Sequence, residues 1–543
     1  QKAHGLNKNR TYGLNATAYL EVEPIKNLKW RSSFSYRMTN SSYRSLTAPY
    51  QAATNEGSAS YIVAQSSALG HNISQENTIS YILPNWNGHL FDVLVGQSFE
   101  KTIPGENLSI INSVTEGQQL PTMKPDMDHA WISNTIGNAA TDIEGYPFDE
   151  WALASFFGRI NYNYKDKYMA TLIIRADGSS NFARGNRWGI FPSVSAGWLI
   201  SEEKFMESTR GWLDFLKLRA SWGQNGNQSI PNFQYVSPIA FDLSHGYQFG
   251  QTHIATGKLP TTGAYATTLA NENVTWEKSE QINLGIDAVF LGNRLRVSAD
   301  WYNKKTRDLL LNASIPYTSG YSKIYKNVGS IRNRGWEFSL STVNIAARNF
   351  RWTSDFNISF NKNRILSLND DETRLLTAVT QGWEMSKVNL YMAEVGSSAA
   401  QFIGLIWDGV YNYDDFNLVG DKYVLKSDRA ANGSARDMIQ PGDIKYRDVD
   451  GDGTITDKDV VVIGRALPIH IGGFNNNFTW GRFNLNVFFQ WSYGNDVMNA
   501  NRIYLEGNQT NRPALNQFKS YADRWTPENS DSKMFRAGGQ GPV

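Results

Sequence analysis

The residues best suited to chemistry lie in one run, Asp448-Val449-Asp450-Gly451-Asp452-Gly453-Thr454-Ile455-Thr456-Asp457-Lys458-Asp459. Carboxylates stand at its first, third and fifth positions, glycine follows for the tight turn, the Thr454 carbonyl comes seventh and Asp459 twelfth. That is the spacing by which a single loop wraps calcium in hard oxygen ligands. Aspartate at the twelfth position reaches less far than glutamate, which weakens bidentate closure. The same residues also suit an Asp/Gly-rich turn whose carboxylates cap backbone N–H groups with no ion present, and both readings stay open. A structural Ca2+ here would brace a loop, and no other cofactor is required.

The remaining candidates are weaker. Trp131, Trp383 and Trp407 fall in long connections, where an indole could stack on the C–H face of a sugar ring or simply pack its own loop. Trp86 sits in a short turn. Asp177-Gly178-Ser179-Ser180, flanked by Arg175, Arg184 and Arg187, has the composition of an anion site but reads more simply as a well-formed outer turn. Gly223-Gln224-Asn225-Gly226 lacks the third glycine and the following helix of a dinucleotide fingerprint. Seven histidines are scattered without metal-protease spacing, no nucleophile elbow occurs, and no cysteine exists to form a disulfide, thiolate metal site or nucleophile. No catalytic residues can be named.

Such residues must be carried by strands. From Thr11 to Val22 the side chains alternate, with Tyr12, Leu14, Ala16, Ala18, Leu20 and Val22 on one face and Thr11, Asn15, Thr17 and Glu21 on the other. After a turn at Glu23 to Asn27 the pattern resumes, Leu28, Trp30, Phe34, Tyr36 and Met38 alternating with Lys29, Arg31, Ser33, Ser35 and Arg37. The unit recurs with short turns at 84–89, 165–167, 291–293, 344–349 and 481–482, and a longer connection at 201–215. Between the hairpins lie long connections, 39–76, 100–153, 176–191, 223–279, 303–334 and 361–469. This alternation of short and long links predicts an all-β chain of about fourteen antiparallel strands of ten or eleven residues, forming part of a transmembrane β-barrel with short periplasmic turns and long extracellular loops. Asp287, Asp300 and Asp355 fall opposite the apolar face, where a lumen would wet them.

Composition agrees. Lys plus Arg number 52 against 51 Asp plus Glu, so nothing draws the chain to nucleic acid. Aromatics reach 13%, with 17 Trp, in a chain whose mean hydropathy is negative, which suits sheets with one greasy and one wet face. No apolar run is long enough for a membrane helix. Gln1 opens in mid-pattern with no Met and no leader, so the chain reads as a piece of a longer protein.

Several long stretches resemble SusC/RagA-like TonB-dependent outer-membrane transporters: RADGSSNFARGNRWGIFPSVSAGWLISEEKFM (Arg175 to Met206), LKLRASWGQNGNQ (Leu216 to Gln228), the run from Asn271 to Leu310, NVGSIRNRGWEFSLSTVNI (Asn327 to Ile345), and the region from Gly442 to Asp496. The resemblance implies a barrel of about 22 strands, of which residues 1–543 form a part of the receptor barrel domain, with the N-terminal plug and the closing strands outside this chain. It further implies import of oligosaccharides or oligopeptides across the outer membrane, a SusD-like surface lipoprotein as lid, contact with outer-membrane lipid, and energy from TonB through the absent N-terminal region. Two rivals remain: a TonB-dependent siderophore or cobalamin receptor, and a secreted all-β glycan-binding or glycan-cleaving protein.

Overall fold

The alternating stretch beginning near Thr11 forms a strand longer than its apolar part: β1 spans Gly5–Ile25 and β2 spans Leu28–Thr47. The computed structural model describes residues 5–53, 56–58, 60–115, 131, 142–147, 150–237, 239–241, 248–249, 261–262, 264–266, 268–369, 372–378, 389–506 and 516–538. Two compact units divide the chain, residues 1–288 with 304–328, and residues 289–303 with 329–543.

In the first unit β1 and β2 are followed by β3 (Ser60–Ile82), β4 (His89–Thr115), β5 (Trp151–Tyr164), β6 (Tyr168–Ser179), β7 (Trp188–Leu199), β8 (Leu213–Asn227) and β9 (Glu277–Phe290). They hydrogen-bond to one another in chain order. In the second unit β10 (Leu295–Arg307), β11 (Ser330–Ala346), β12 (Phe350–Ser367), β13 (His470–Trp480) and β14 (Phe483–Tyr493) do the same. Among the described residues, nine long strands in one run and five in the other match the number that alternation predicts, and a short further strand, Asp142–Pro147, pairs with the far end of β4 off this path.

The short turns form where expected. Lys165 and Asp166 both adopt left-handed backbone, at φ 53° and 56°, the signature of a two-residue turn that follows the right-handed twist of its strands. Gly481 takes φ 58° between β13 and β14. The connection 201–215 is shortened by two 3-10 segments, Ile200–Glu202 and Lys204–Thr209, before β8 begins.

Strand length is the main correction. β1 to β4 run to 21, 20, 23 and 27 residues rather than ten or eleven. The supposed loop 39–76 is mostly β2 and β3, paired without interruption from Leu28 opposite Tyr81 to Thr47 opposite Ile62. Apolar alternation marks only the segment that must meet hydrocarbon. Beyond it, Ser-, Thr- and Asn-rich sequence such as Thr39-Asn40-Ser41-Ser42 continues the same backbone ladder without an apolar face to reveal it.

The two faces differ as the alternation requires. On the polar face Thr17 meets Ser35, Arg37 Nε donates to Asn15 Oδ1, and Lys29 pairs with Glu21. On the other face Leu14, Leu20, Phe156, Leu172, Ile174 and Ile190 each expose half or more of their surface, an arrangement that water would penalise and lipid rewards. Aromatics close both ends of this belt: Phe156 stacks on Trp188 at the long-loop end and Tyr168 on Trp198 at the short-turn end. From Trp188 to Trp198 the strand covers about 33 Å, or roughly 25 Å after tilting, the height of an outer-membrane hydrocarbon band.

Among the described residues the buried apolar clusters centre on the loops. Phe182, Phe191, Ile230, Val274 and Trp276 form one at the long-loop end of the first unit. Tyr411, Phe416, Leu425, Ala431 and Ile439 form another within the connection between β12 and β13.

Candidate functional site

The polar face of the first unit is built of alternate residues on neighbouring strands. Arg219 on β8 grips Asp287 on β9 through two bonds, Nε to Oδ2 at 2.6 Å and Nη2 to Oδ1 at 2.9 Å. Arg159 and Asn161 on β5 both reach Asp92 on β4. Between these pairs Thr171, Ser195, Ser221 and Asn283 line a shallow depression of about 360 Å³. In the second unit Asp300, Glu337, Ser339 and Asn357 line one of about 280 Å³, and Asp355 accepts a hydrogen bond from Ser341. Hydroxyls, amides and paired charges of this kind can hydrogen-bond water or a polar ligand. Asp287, Asp300 and Asp355 all lie on the polar face, opposite the apolar one.

Asp177, Gly178 and Ser179 form not a turn but the end of β6, paired with β5 and β7, and the outer loop begins at Ser180. Arg175 Nε donates to both Asp177 oxygens at 2.7 and 2.9 Å, and Arg187 Nε donates to the Phe182 carbonyl. Arg175 and Arg187 are thus engaged within the strand end and its loop, while Arg184 is exposed.

In the acidic loop, carboxylate oxygens of Asp448, Asp450 and Asp452 lie within 4.8 Å of one another. Each also accepts backbone N–H groups: Asp448 from Gly451 and Gly453, Asp450 from Asp452, Asp452 from Thr454. Lys458 Nζ stands 3.9 Å from both Asp450 and Asp452. Asp459 is fully buried and turns its oxygens to the backbone, accepting from Val449 at 2.7 Å and from Thr456 at 2.8 Å. Burial pushes the Asp459 pKa up, but the N–H groups of Thr456, Val449 and Asp450, with Lys458, outweigh it and hold the carboxyl below its usual range. The loop is thus both a cluster of three convergent carboxylates and a backbone-capping turn, with Asp459 serving the second role. Bonds from Ala431 N to the Gly453 carbonyl and from Ile455 N to the Ala431 carbonyl anchor it to the loop core.

Trp131 lies against Arg44, whose guanidinium carbon is 3.6 Å from the ring centroid, so one face of the indole is occupied. Trp407 is 45% exposed and tilts against Phe535 at 6.1 Å. Trp131 belongs to the first unit and Trp407 to the second, while Trp383 lies outside the described residues.

Sequence reasoning missed a lock between two outer segments of the second unit. Trp525 and Phe535, from beyond β14, pack with Val410, and Arg536 donates to the buried Asp443. No periodicity announces such a contact. The signal was an apolar and charged cluster within 516–538, residues that form no barrel strand.

Long antiparallel strands with a lipid-height apolar belt on one face, a hydrogen-bonded polar face and folded loops at one end define the wall of a membrane-spanning β-barrel. The family of TonB dependent receptor-like β-barrels matches residues 2–447, and the chain belongs to it. This is an outer-membrane family. The chain is 34% identical to TonB-dependent receptor P26 of Formosa agariphila over 98% of its own length and 50% of the relative's. It is 29% identical to TonB-dependent receptor SusC of Bacteroides thetaiotaomicron, over 81% and 40% of the two chains. Its fold matches that in the structure of the RagAB peptide transporter with a TM-score of 0.78 at 21% identity, over 99% of this chain and 53% of that one. The chain therefore spans about half the length of the curated relatives it matches.

Proposed function

We propose that this chain forms barrel wall and outer loops of an importer that carries oligosaccharides or oligopeptides across the outer membrane, capped by a SusD-like lipoprotein and energised through TonB. The observation that carries the reading is the division of long strands such as β1, β6 and β11 into an exposed apolar row and a row rich in polar and charged side chains. The relationship to a SusC, and the fold shared with a peptide transporter, support the substrate classes and the lid. Capture and passage need no covalent step: the polar face supplies exchangeable hydrogen bonds, and the outer loops supply surface for a large ligand. Trp407 and Trp131 are the described aromatics we assign to that surface. Deleting the gene for the whole protein and measuring growth on individual glycans and peptide mixtures tests this. Selective loss of growth on one of them, restored by the intact gene, is the expected result.

We further infer that the acidic loop takes calcium. Asp448, Asp450 and Asp452 would be its ligands with the Thr454 carbonyl, and Lys458 would swing out as the ion enters. Asp459 would hold the loop closed from behind. Calorimetric titration of the detergent-solubilised protein with calcium, for the native protein and for Asp450→Ala, tests the assignment.

A further inference from the structure

Two rows of cations stand on one face of the second unit where β11 and β12 rise out of the apolar belt. In register, Arg332 lies opposite Arg364 and Arg334 opposite Lys362; the next outward-facing pairs are Trp336 with Phe360, Phe338 with Ile358, and Leu340 with Phe356. Directly opposed residues of an antiparallel pair share a face, and so do alternate residues along a strand. The four cations therefore continue the face that carries the aromatic and aliphatic belt. The opposite face carries Asn333, Asn361 and Asn363, which hydrogen-bond among themselves. The short turn 347–349 closes the far end of the hairpin, so the cations sit at the long-loop end.

Arg334, Lys362 and Arg364 are exposed and Arg332 is half-buried. None of the four makes an ion pair or side-chain hydrogen bond with a described residue. Like charges directly opposed on a sheet repel, and here two such pairs follow one another along the ladder. Gly335 keeps the strands in close approach between them: a Cβ there would run into the Phe360 carbonyl and the Tyr302 ring. Just beneath, the Trp336 and Phe338 rings stack, their centroids 6.0 Å apart and their planes within 7° of parallel.

We propose that Arg332, Arg334, Lys362 and Arg364 bind the phosphorylated head group of an outer-leaflet glycolipid, whose acyl chains lie along Trp336, Phe338 and Phe360. Guanidinium forks match phosphate oxygens in pairs. The first cation row is about 7 Å and the second about 13 Å of strand beyond the aromatic pair, the depth at which head groups begin. The inference rests on the reading that this apolar face meets lipid.

The test uses the whole protein, purified in mild detergent from its own outer membrane and placed in nanodiscs with defined lipid. Binding of phosphorylated lipid A and of its phosphatase-treated form is measured by native mass spectrometry for the native protein, for the quadruple variant R332Q/R334Q/K362Q/R364Q, and for the charge-keeping R332K/R334K. The native protein should prefer the phosphorylated form by at least about tenfold, as expected for several charge-assisted hydrogen bonds. The quadruple variant should lose that preference and the lysine variant keep most of it. Equal binding of both lipid forms by the native protein overturns the proposal, and so does displacement by inorganic phosphate as readily as by the lipid, which would mean a free-anion site. The comparison of lipid forms on native protein stands even where the quadruple variant fails to fold. Membrane insertion is read separately from heat-dependent gel mobility, so failure of the barrel reading is distinguishable from failure of the lipid site.

Discussion

Arg536 Nε donates to Asp443 Oδ1 at 2.6 Å across 93 residues of sequence, and Asp443 has no exposed surface. The other Asp443 oxygen accepts the Gln440 N–H at 2.8 Å, and Arg536 N donates to the Gly442 carbonyl. One ion pair thus fastens the segment beyond β14 to the loop between β12 and β13.

Removing the cation should release that segment. Arg536→Ala removes the ion pair to a fully buried carboxylate, at a cost of up to about 3–5 kcal/mol. Hydrogen exchange should rise in 516–538 and around 440–446 while the barrel strands stay protected. Unchanged exchange in 516–538 would show that Trp525 and Phe535 hold the segment alone.

Acid should open the acidic loop. The Asp459 carboxyl is held below its ordinary value by backbone N–H groups. Its contribution is therefore present above the unfolded pKa near 4 and is lost as pH falls through the lower folded value. Protection of amides 448–459 should be flat from pH 9 to 5 and collapse below about pH 4. Asp459→Asn, which can no longer accept both N–H groups as an anion, should lower protection at neutral pH by about 1–3 kcal/mol.

The belt, the polar face and the short turns were legible because each follows from a local rule: alternation for Tyr12 to Val22, left-handed backbone for Lys165 and Asp166, glycine for Gly481. Strand ends were not, because the ladder from Thr39 to Thr47 rests on backbone hydrogen bonds that any polar residue can make. In the acidic loop the spacing identified the three convergent carboxylates. It could not show that Asp459 turns to Val449 and Thr456, since that depends on how the loop folds back on itself. The Arg536 lock and the cation rows of β11 and β12 needed the register, which no single segment contains.

Calcium should tighten the acidic loop against acid and heat alike. With the ion at 1 mM, extracellular-type affinities of about 10⁻⁴ to 10⁻³ M would raise protection of 448–459 by up to about 1.4 kcal/mol. Asp450→Ala should abolish the gain. An unchanged exchange profile at 10 mM calcium would leave Lys458 as the resident cation.

Gly335 should tolerate no side chain. A Cβ meets the Phe360 carbonyl and the Tyr302 ring, and neither can withdraw without disturbing the β11–β12 ladder. Gly335→Ala should cost on the order of 1–3 kcal/mol and lower the temperature at which the folded gel band converts to the unfolded one. Gly13, a β1 strand glycine with open space around it and no left-handed backbone, serves as the control for glycine loss without collision.

The proposed function makes this chain barrel wall of an outer-membrane importer with a surface lid. The most direct measurement is to express the whole protein in its native outer membrane, extract it in mild detergent, and identify by mass spectrometry what co-purifies. Recovery from the membrane with a stoichiometric surface lipoprotein is the predicted result. Recovery only in the soluble fraction would contradict the account.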